Sequence, residues 1–127
     1  MKGKTILVVD DDRDILGTLS DLLGSAGFRV WICDNARRAM GEARTIQPDL
    51  IILDLRMPGL TGMELIPRLQ LAAPRSRIMI LSAYADSETS QKAIAQDVAA
   101  VLWKPFNTET LIRTIHRILG APEPQAR

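Results

Sequence analysis

Three consecutive acids, Asp10-Asp11-Asp12, a lone Asp54, the hydroxyl of Ser82 and the ammonium of Lys104 are the groups in this chain best placed to do chemistry together. Asp10 closes the apolar run Ile6-Leu7-Val8-Val9, Asp54 closes Leu50-Ile51-Ile52-Leu53, and Lys104 closes Val101-Leu102-Trp103. If those runs are neighbouring parallel strands, all of these groups emerge at the same edge of one sheet. Clustered hard-oxygen donors suit magnesium or manganese; magnesium keeps several waters and needs only one or two carboxylates besides a phosphoryl oxygen. Ionised carboxylates in one place repel each other, and a cation removes that cost. A carboxylate can also act as nucleophile and become an aspartyl phosphate. An ammonium and a hydroxyl would then bind the remaining phosphoryl oxygens, and phosphoryl transfer needs mainly this positioning and charge neutralisation.

The elements that must position these groups recur along the chain. Strand patterns fall at Thr5–Asp10, Phe28–Cys33, Asp49–Asp54, Arg77–Ser82 and Ala99–Lys104. Four are near-continuous apolar runs, as in strands covered on both faces. In the second, Phe28, Val30 and Ile32 alternate with Arg29, Trp31 and Cys33, which predicts a half-exposed edge strand. Helical periodicity fills the gaps. Ile15, Leu16, Leu19, Leu22 and Leu23 form one apolar face; Ala36, Ala39, Met40, Ala43 and Ile46 form a second, stopped before Pro48. Leu65, Ile66 and Leu69 mark a third, shorter helix, which Pro67 must bend unless it falls in the first turns. A fourth predicted helix, Ser87–Gln96, offers a core only Ala93, Ile94 and Ala95, so it should be the least firmly docked. The fifth carries Leu111, Ile112, Ile115, Ile118 and Leu119 behind Asn107 as N-cap. Strand–helix alternation of this length implies right-handed crossovers and a parallel sheet with helices on both faces. Ligands of such sheets bind outside the carboxyl ends of the strands.

Bulk properties narrow the function classes. A chain of 127 residues with 46% apolar and 24% charged residues reads as one domain of ordinary globular composition, the domain over 1–120 and a linker-like tail over 121–127. A net charge of +1 gives no global attraction to nucleic acid or membrane. One cysteine, Cys33, excludes an internal disulfide and a zinc-site spacing, and suits a reducing, cytoplasmic setting. Met1-Lys2-Gly3-Lys4 leads into a strand, with neither a secretion signal nor a membrane span. No Gly-x-Gly-x-x-Gly or Gly-Lys-Ser/Thr loop points to nucleotide binding, and no helix-turn-helix points to direct DNA binding.

Four segments in order carry a resemblance. Ile6-Leu7-Val8-Val9-Asp10-Asp11-Asp12, Pro48 through Gly62 with Asp54 at its centre, Ile80-Leu81-Ser82-Ala83-Tyr84 and Lys104-Pro105-Phe106 together make the chain similar to the receiver domain of two-component response regulators. With the spacing between them, the resemblance covers roughly residues 4–120. It implies an α/β fold, a flavodoxin-like doubly wound five-stranded parallel sheet of order 2-1-3-4-5 with five helices. Position by position, it implies Asp54 as phosphoacceptor, Asp11 as direct magnesium ligand, Asp10 as its water-mediated neighbour and the backbone carbonyl of Arg56 as a further ligand. Ser82 takes the place of the hydroxyl that senses the phosphoryl group, and Lys104 that of the paired lysine, with a cis Lys104-Pro105 bond. The implied partners are a sensor histidine kinase or phosphotransfer protein, and an output domain or downstream protein on the face of the fourth predicted helix, fifth strand and fifth helix. A phosphorylation-dependent dimer fits the same face. Asp12 and Asp14 read instead as the cap and acidic first turn of a helix.

Departures from the family pattern bear on mechanism. Val101 stands where receivers usually place Tyr or Phe, and valine has no ring to turn. Trp103, on the same side of the strand, reads either as cover over the final helix or as an exposed anchor for a partner. The family's Gly-Ala after the fourth helix is Asp97-Val98 here, which raises the cost of a left-handed helix end and predicts mobility in that helix. Arg56 and Tyr84, each two residues past a site residue, should hinder water and slow self-dephosphorylation. Two other functions compete: a pseudo-receiver that binds partners without phosphorylation, and an aspartyl-phosphate hydrolase. Asp54-Leu55-Arg56 lacks the Asp-x-Asp that the hydrolase needs.

Overall fold

A computed structural model describes residues 3–55, 57, 62–83, 92 and 96–120. Its strands are β1 (Thr5–Val9), β2 (Arg29–Cys33), β3 (Leu50–Leu53), β4 (Arg77–Ser82) and β5 (Ala100–Trp103). The helices are α1 (Arg13–Ser25), α2 (Ala36–Ile46), α3 (Gly62–Ala72) and α4 (Thr108–Leu119). All strand pairs are parallel and the order is β2-β1-β3-β4-β5. Four helices are thus seen among the described residues. The predicted helix Ser87–Gln96 falls mainly on residues outside them, as do Arg56, Tyr84 and the tail 121–127.

Successive side chains of a strand point to opposite faces, so each apolar run supplies two cores. Leu7, Val9, Ile51, Leu53, Ile78 and Ile80 pack against Ala36, Ala39 and Ala43 of α2 and Leu65, Ile66 and Leu69 of α3. On the other face, Ile6, Val8, Leu50, Ile52, Met79 and Leu81 pack against Leu16, Leu19 and Leu23 of α1 and Leu111, Ile115 and Ile118 of α4. Burying an aliphatic side chain of this size contributes roughly 1.5–3 kcal/mol before chain entropy is subtracted. The sheet centre is therefore the most deeply buried part among the described residues.

Helix starts are set by side-chain caps. Asp12 accepts from the Asp14 and Ile15 amides at 2.9 and 3.3 Å. Asn107 does the same for Glu109 and Thr110 at 2.8 and 3.2 Å. Asn35 caps α2, although nothing in the apolar periodicity singles it out. Gln47 closes α2 in the left-handed region at φ 49° and Asp97 also takes positive φ, 69°, where the family has glycine. A short polar side chain tolerates that conformation better than most. α3 matches α2 in length at 11 residues and is not the shorter helix expected; Pro67 lies in its second turn.

Two expectations for the sheet need correction. The apolar pattern predicts a β5 covered on both faces, yet each of its residues is only half-buried, because it ends the strand order with β4 as its one paired neighbour among the described residues. In β2 the alternation places Cys33 with exposed Arg29 and Trp31. Instead Cys33 is buried against Ala36 and Ala39, while Trp31 and Ile32 are 53% and 49% exposed. The thiol sits under the start of α2 and donates to the Asn35 carbonyl at 3.1 Å.

Candidate functional site

Three backbone bonds place the site residues. Asp10, Asp54 and Lys104 are each the first residue beyond a strand, yet their amides still join the sheet ladder. Asp10 N–H donates to the Cys33 carbonyl at 3.1 Å, Asp54 N–H to Val9 at 3.0 Å, and Lys104 N–H to Ser82 at 2.9 Å. Each Cα is therefore fixed by a neighbouring strand, whereas its side chain is free of the core. Ser82 ends β4 opposite Trp103, one residue before Lys104.

The side chains meet. Lys104 Nζ lies 2.8 Å from Asp10 Oδ2 and 3.3 Å from Asp54 Oδ2. Ser82 Oγ donates to the other Asp54 oxygen, Oδ1, at 3.1 Å. Asp10 Oδ1 accepts the Asp12 amide at 2.9 Å, which fixes its rotamer at the entrance to α1. Asp10, Asp54 and Ser82 are buried, while Asp11 is exposed. The Lys104–Pro105 peptide is cis, as the resemblance implies.

Electrostatics follow from burial. Loss of water is the main cause that pushes the Asp10 carboxyl above its ordinary value; the hydrogen bonds from Lys104 and the Asp12 amide offset this in part, and the charge of Asp54 adds to it. Burial alone would lower the Lys104 ammonium, but its hydrogen bond to Asp10 and the charges of both aspartates outweigh burial and hold it up. The pocket is thus an ammonium between two buried carboxylates, with a third carboxylate at the rim.

Ligand oxygens of Asp10, Asp11 and Asp54 lie within 4.8 Å of one another, so the three could hold a metal ion. The donor set is all hard oxygen and partly open to water, which fits magnesium rather than zinc. A buried Asp10 held above its ordinary value by burial, with the Asp54 charge adding to the strain, is also the tension that a divalent cation would relieve.

All the predicted side-chain ligands and phosphoryl contacts are therefore brought together: Asp10, Asp11, Asp54, Ser82 and Lys104. The Arg56 carbonyl lies outside the described residues. Trp103 needs a correction. Val101 packs on the α2–α3 side of the sheet, opposite α4, and Trp103 follows on the same side. It cannot serve as cover over the final helix. Motif and periodicity also miss an apolar recess of about 360 Å³ beside Lys104, lined by Ile15, Ala83, Pro105 and Phe106. Helical period assigns Ile15 to the core, and it packs against that core half-buried while also lining the recess.

Comparison with known proteins agrees with this geometry. The family model described as "Response regulator receiver domain" matches residues 6–116. The DNA-binding transcriptional regulator NtrC of Azospirillum brasilense is 36% identical over 126 residues, covering 99% of this chain and 26% of that protein. Sporulation initiation phosphotransferase F of Bacillus subtilis is 25% identical over 119 residues, covering 94% of this chain and 96% of that one. Among solved structures, the chemotaxis protein CheY4 of Vibrio cholerae superposes with a TM-score of 0.85 at 31% identity, covering 91% of this chain and 98% of that chain. The chain spans about a quarter of the length of the NtrC relatives it matches. No helix among the described residues is long and apolar enough to cross a membrane.

Proposed function

Because the chain belongs to the response regulator receiver domain family, we propose that it is the phosphoacceptor of a two-component or phosphorelay pathway, with Asp54 taking the phosphoryl group. The observation that carries this reading is the approach of Lys104 Nζ and Ser82 Oγ to the two oxygens of one buried carboxylate, at 3.3 and 3.1 Å. An ammonium and a hydroxyl so placed can bind phosphoryl oxygens as soon as that carboxylate becomes an ester-like group.

The donor is a phosphohistidine on a sensor histidine kinase or a phosphotransfer protein. An Asp54 oxygen attacks phosphorus, the P–N bond breaks, and the imidazole leaves with the electron pair and takes a proton from solvent. Lys104 turns from the carboxylates toward a phosphoryl oxygen, and the Ser82 hydroxyl donates to another. Asp10, Asp11 and Asp54, with the Arg56 carbonyl that the resemblance adds, would hold magnesium or manganese, which would neutralise charge on the transferring group. The recess lined by Ile15 and Phe106 gives the donor protein an apolar seat beside the ammonium. The chain modifies itself and has no turnover substrate.

Added negative charge at Asp54 shifts an equilibrium of the face that includes β5 and α4, the site for an output domain, a downstream protein or a second phosphorylated copy. With Val101 in place of an aromatic, half-buried Trp103 is the side chain best placed to report on Ser82, its partner in register. Trp103→Ala should weaken partner binding and leave phosphorylation intact. We assign the domain to the cytoplasm on the same grounds.

Incubation with acetyl phosphate tests the reading. Label is expected only with magnesium and is expected to vanish in Asp54→Asn. A partner bound equally by wild type and Asp54→Asn, with no label in either, would favour the pseudo-receiver that Val101 allows.

A further inference from the structure

We propose that the open edge of β2 is a docking site for an extended, acidic segment of a partner protein, added to the sheet as a further strand. β2 pairs only with β1, and among the described residues no strand lies beyond it. Arg29 N–H and the Cys33 carbonyl bond to β1's side of the ladder, to Lys4 and Asp10. Backbone groups of alternate residues point the same way in a strand. Residues 29, 31 and 33 therefore turn inward, and Val30 and Ile32 present their N–H and C=O groups outward.

Natural sheet edges are blunted by charge, proline or bulges because an open edge recruits strands. β2 is charged only at its first residue, Arg29, and carries exposed apolar side chains at Trp31 and Ile32. Trp31 and Ile32 are adjacent, 53% and 49% exposed, and project to opposite faces of the sheet. Ile32 lines a cleft of about 280 Å³ with Leu16, Arg13, Asp34 and Arg38. Leu16 of α1 covers the isoleucine only in part, since Ile32 keeps 49% of its surface exposed. An added strand would place alternate side chains over Trp31 and into this cleft, the arrangement by which strand addition gains specificity.

Charge selects the occupant. Arg13 pairs with Asp34 at 3.1 Å and Arg38 with Glu42 at 3.4 Å, but the cations project while the acids lie beneath them: side chains are 85% against 30% exposed, and 64% against 33%. Exposed Arg29 stands at the other end of the strand. The rim thus shows guanidinium groups at both ends, which fit carboxylates in bidentate fashion. A second copy of the chain suits the edge poorly. Antiparallel self-pairing would set Arg13 and Arg38 at one end of β2 against Arg29 of the other copy.

The probe is a synthetic ten-residue peptide alternating Glu and Val, with a Lys–Val peptide as control, titrated into the Trp103→Phe variant so that Trp31 reports alone. The Glu peptide should shift Trp31 emission and slow exchange of the Val30 and Ile32 amides. Its affinity should fall at least tenfold when sodium chloride rises from about 50 to about 300 mM, and at least tenfold in Arg13→Ala/Arg38→Ala. Trp31→Ala/Ile32→Ser should lose it to the same degree, read by the amide exchange. Equal binding of the Lys peptide, absence of binding by both peptides, or insensitivity to the arginine substitutions would overturn the proposal. A concentration-dependent dimer of the unliganded chain that Trp31→Ala abolishes would overturn it in favour of a copy of the same chain.

Discussion

The carboxyl ends of β1, β3 and β5 and the outer edge of β2 are both places where the sheet stops, and they stop differently. At the strand ends, polar side chains are drawn together and partly buried, so that a lysine must sit between two aspartates. At the β2 edge, apolar side chains and backbone groups are left in water beneath a rim of arginines. The first arrangement costs folding free energy, because isolated buried charge is expensive and pairing offsets it only in part, and the proposed phosphoryl transfer gives that cost a use. The second costs little in the folded monomer and keeps apolar surface available for a partner. A sheet can thus hold functional strain at its ends and uncovered contact area at its flank.

The difference can be broken by substitution. Ile52→Ala, in the central strand, should cost about 3–4 kcal/mol in urea unfolding, whereas Ile32→Ala on the β2 edge should stay within about 0.5 kcal/mol. Similar costs at both positions would erase the contrast. Next in size is Lys104→Met, which removes the ammonium 3.3 Å from Asp54 Oδ2. Phosphorylation by acetyl phosphate should slow about 100-fold, the loss typical of one preorganised donor, while magnesium affinity should rise as the competing ammonium goes.

Asp10→Asn works in the opposite sense on stability. Burial and the nearby Asp54 charge favour the neutral form of Asp10, so its folded pKa lies above 3.8. The stabilisation that a proton gives is complete below the unfolded value and is lost as pH rises through the folded one. At neutral pH without magnesium, Asn should therefore stabilise the fold, read as a higher Tm in a thermal melt. Added magnesium should narrow the gap, and a destabilised variant would contradict the assignment. Smallest is the response of Cys33. Burial holds its thiol above the ordinary value, so thiol–disulfide exchange with a chromogenic disulfide at pH 8 should be slower in the native protein than in the urea-unfolded chain.

Much of the fold and of the site is legible in the order of the residues, for reasons that differ by element. Central strands announce themselves because a run buried on both faces must be apolar throughout, and Asp10, Asp54 and Lys104 are conspicuous as the charges that end such runs. Caps at Asp12 and Asn107 are readable from local chemistry alone. Side-chain depth at the edges is not. Cys33 and Ile32 exchange their expected burial because the turn into α2 closes over the thiol, while the first turns of α1 leave the isoleucine half-exposed, and neither follows from alternation. The face of Trp103 depends on which helices lie on which side of the sheet. The recess at Ile15 and Phe106 joins residues far apart in sequence, and only the sheet order brings them together.

The central claim is that one carboxylate, set between Lys104 and Ser82, accepts a phosphoryl group through its shared pocket with Asp10 and Asp11. The most direct measurement is site-resolved mass spectrometry after treatment with acetyl phosphate and borohydride reduction, with and without a magnesium chelator. The account predicts modification at Asp54 alone, and only when magnesium is present. Modification at another residue, or at Asp54 to the same extent in chelator, would contradict it.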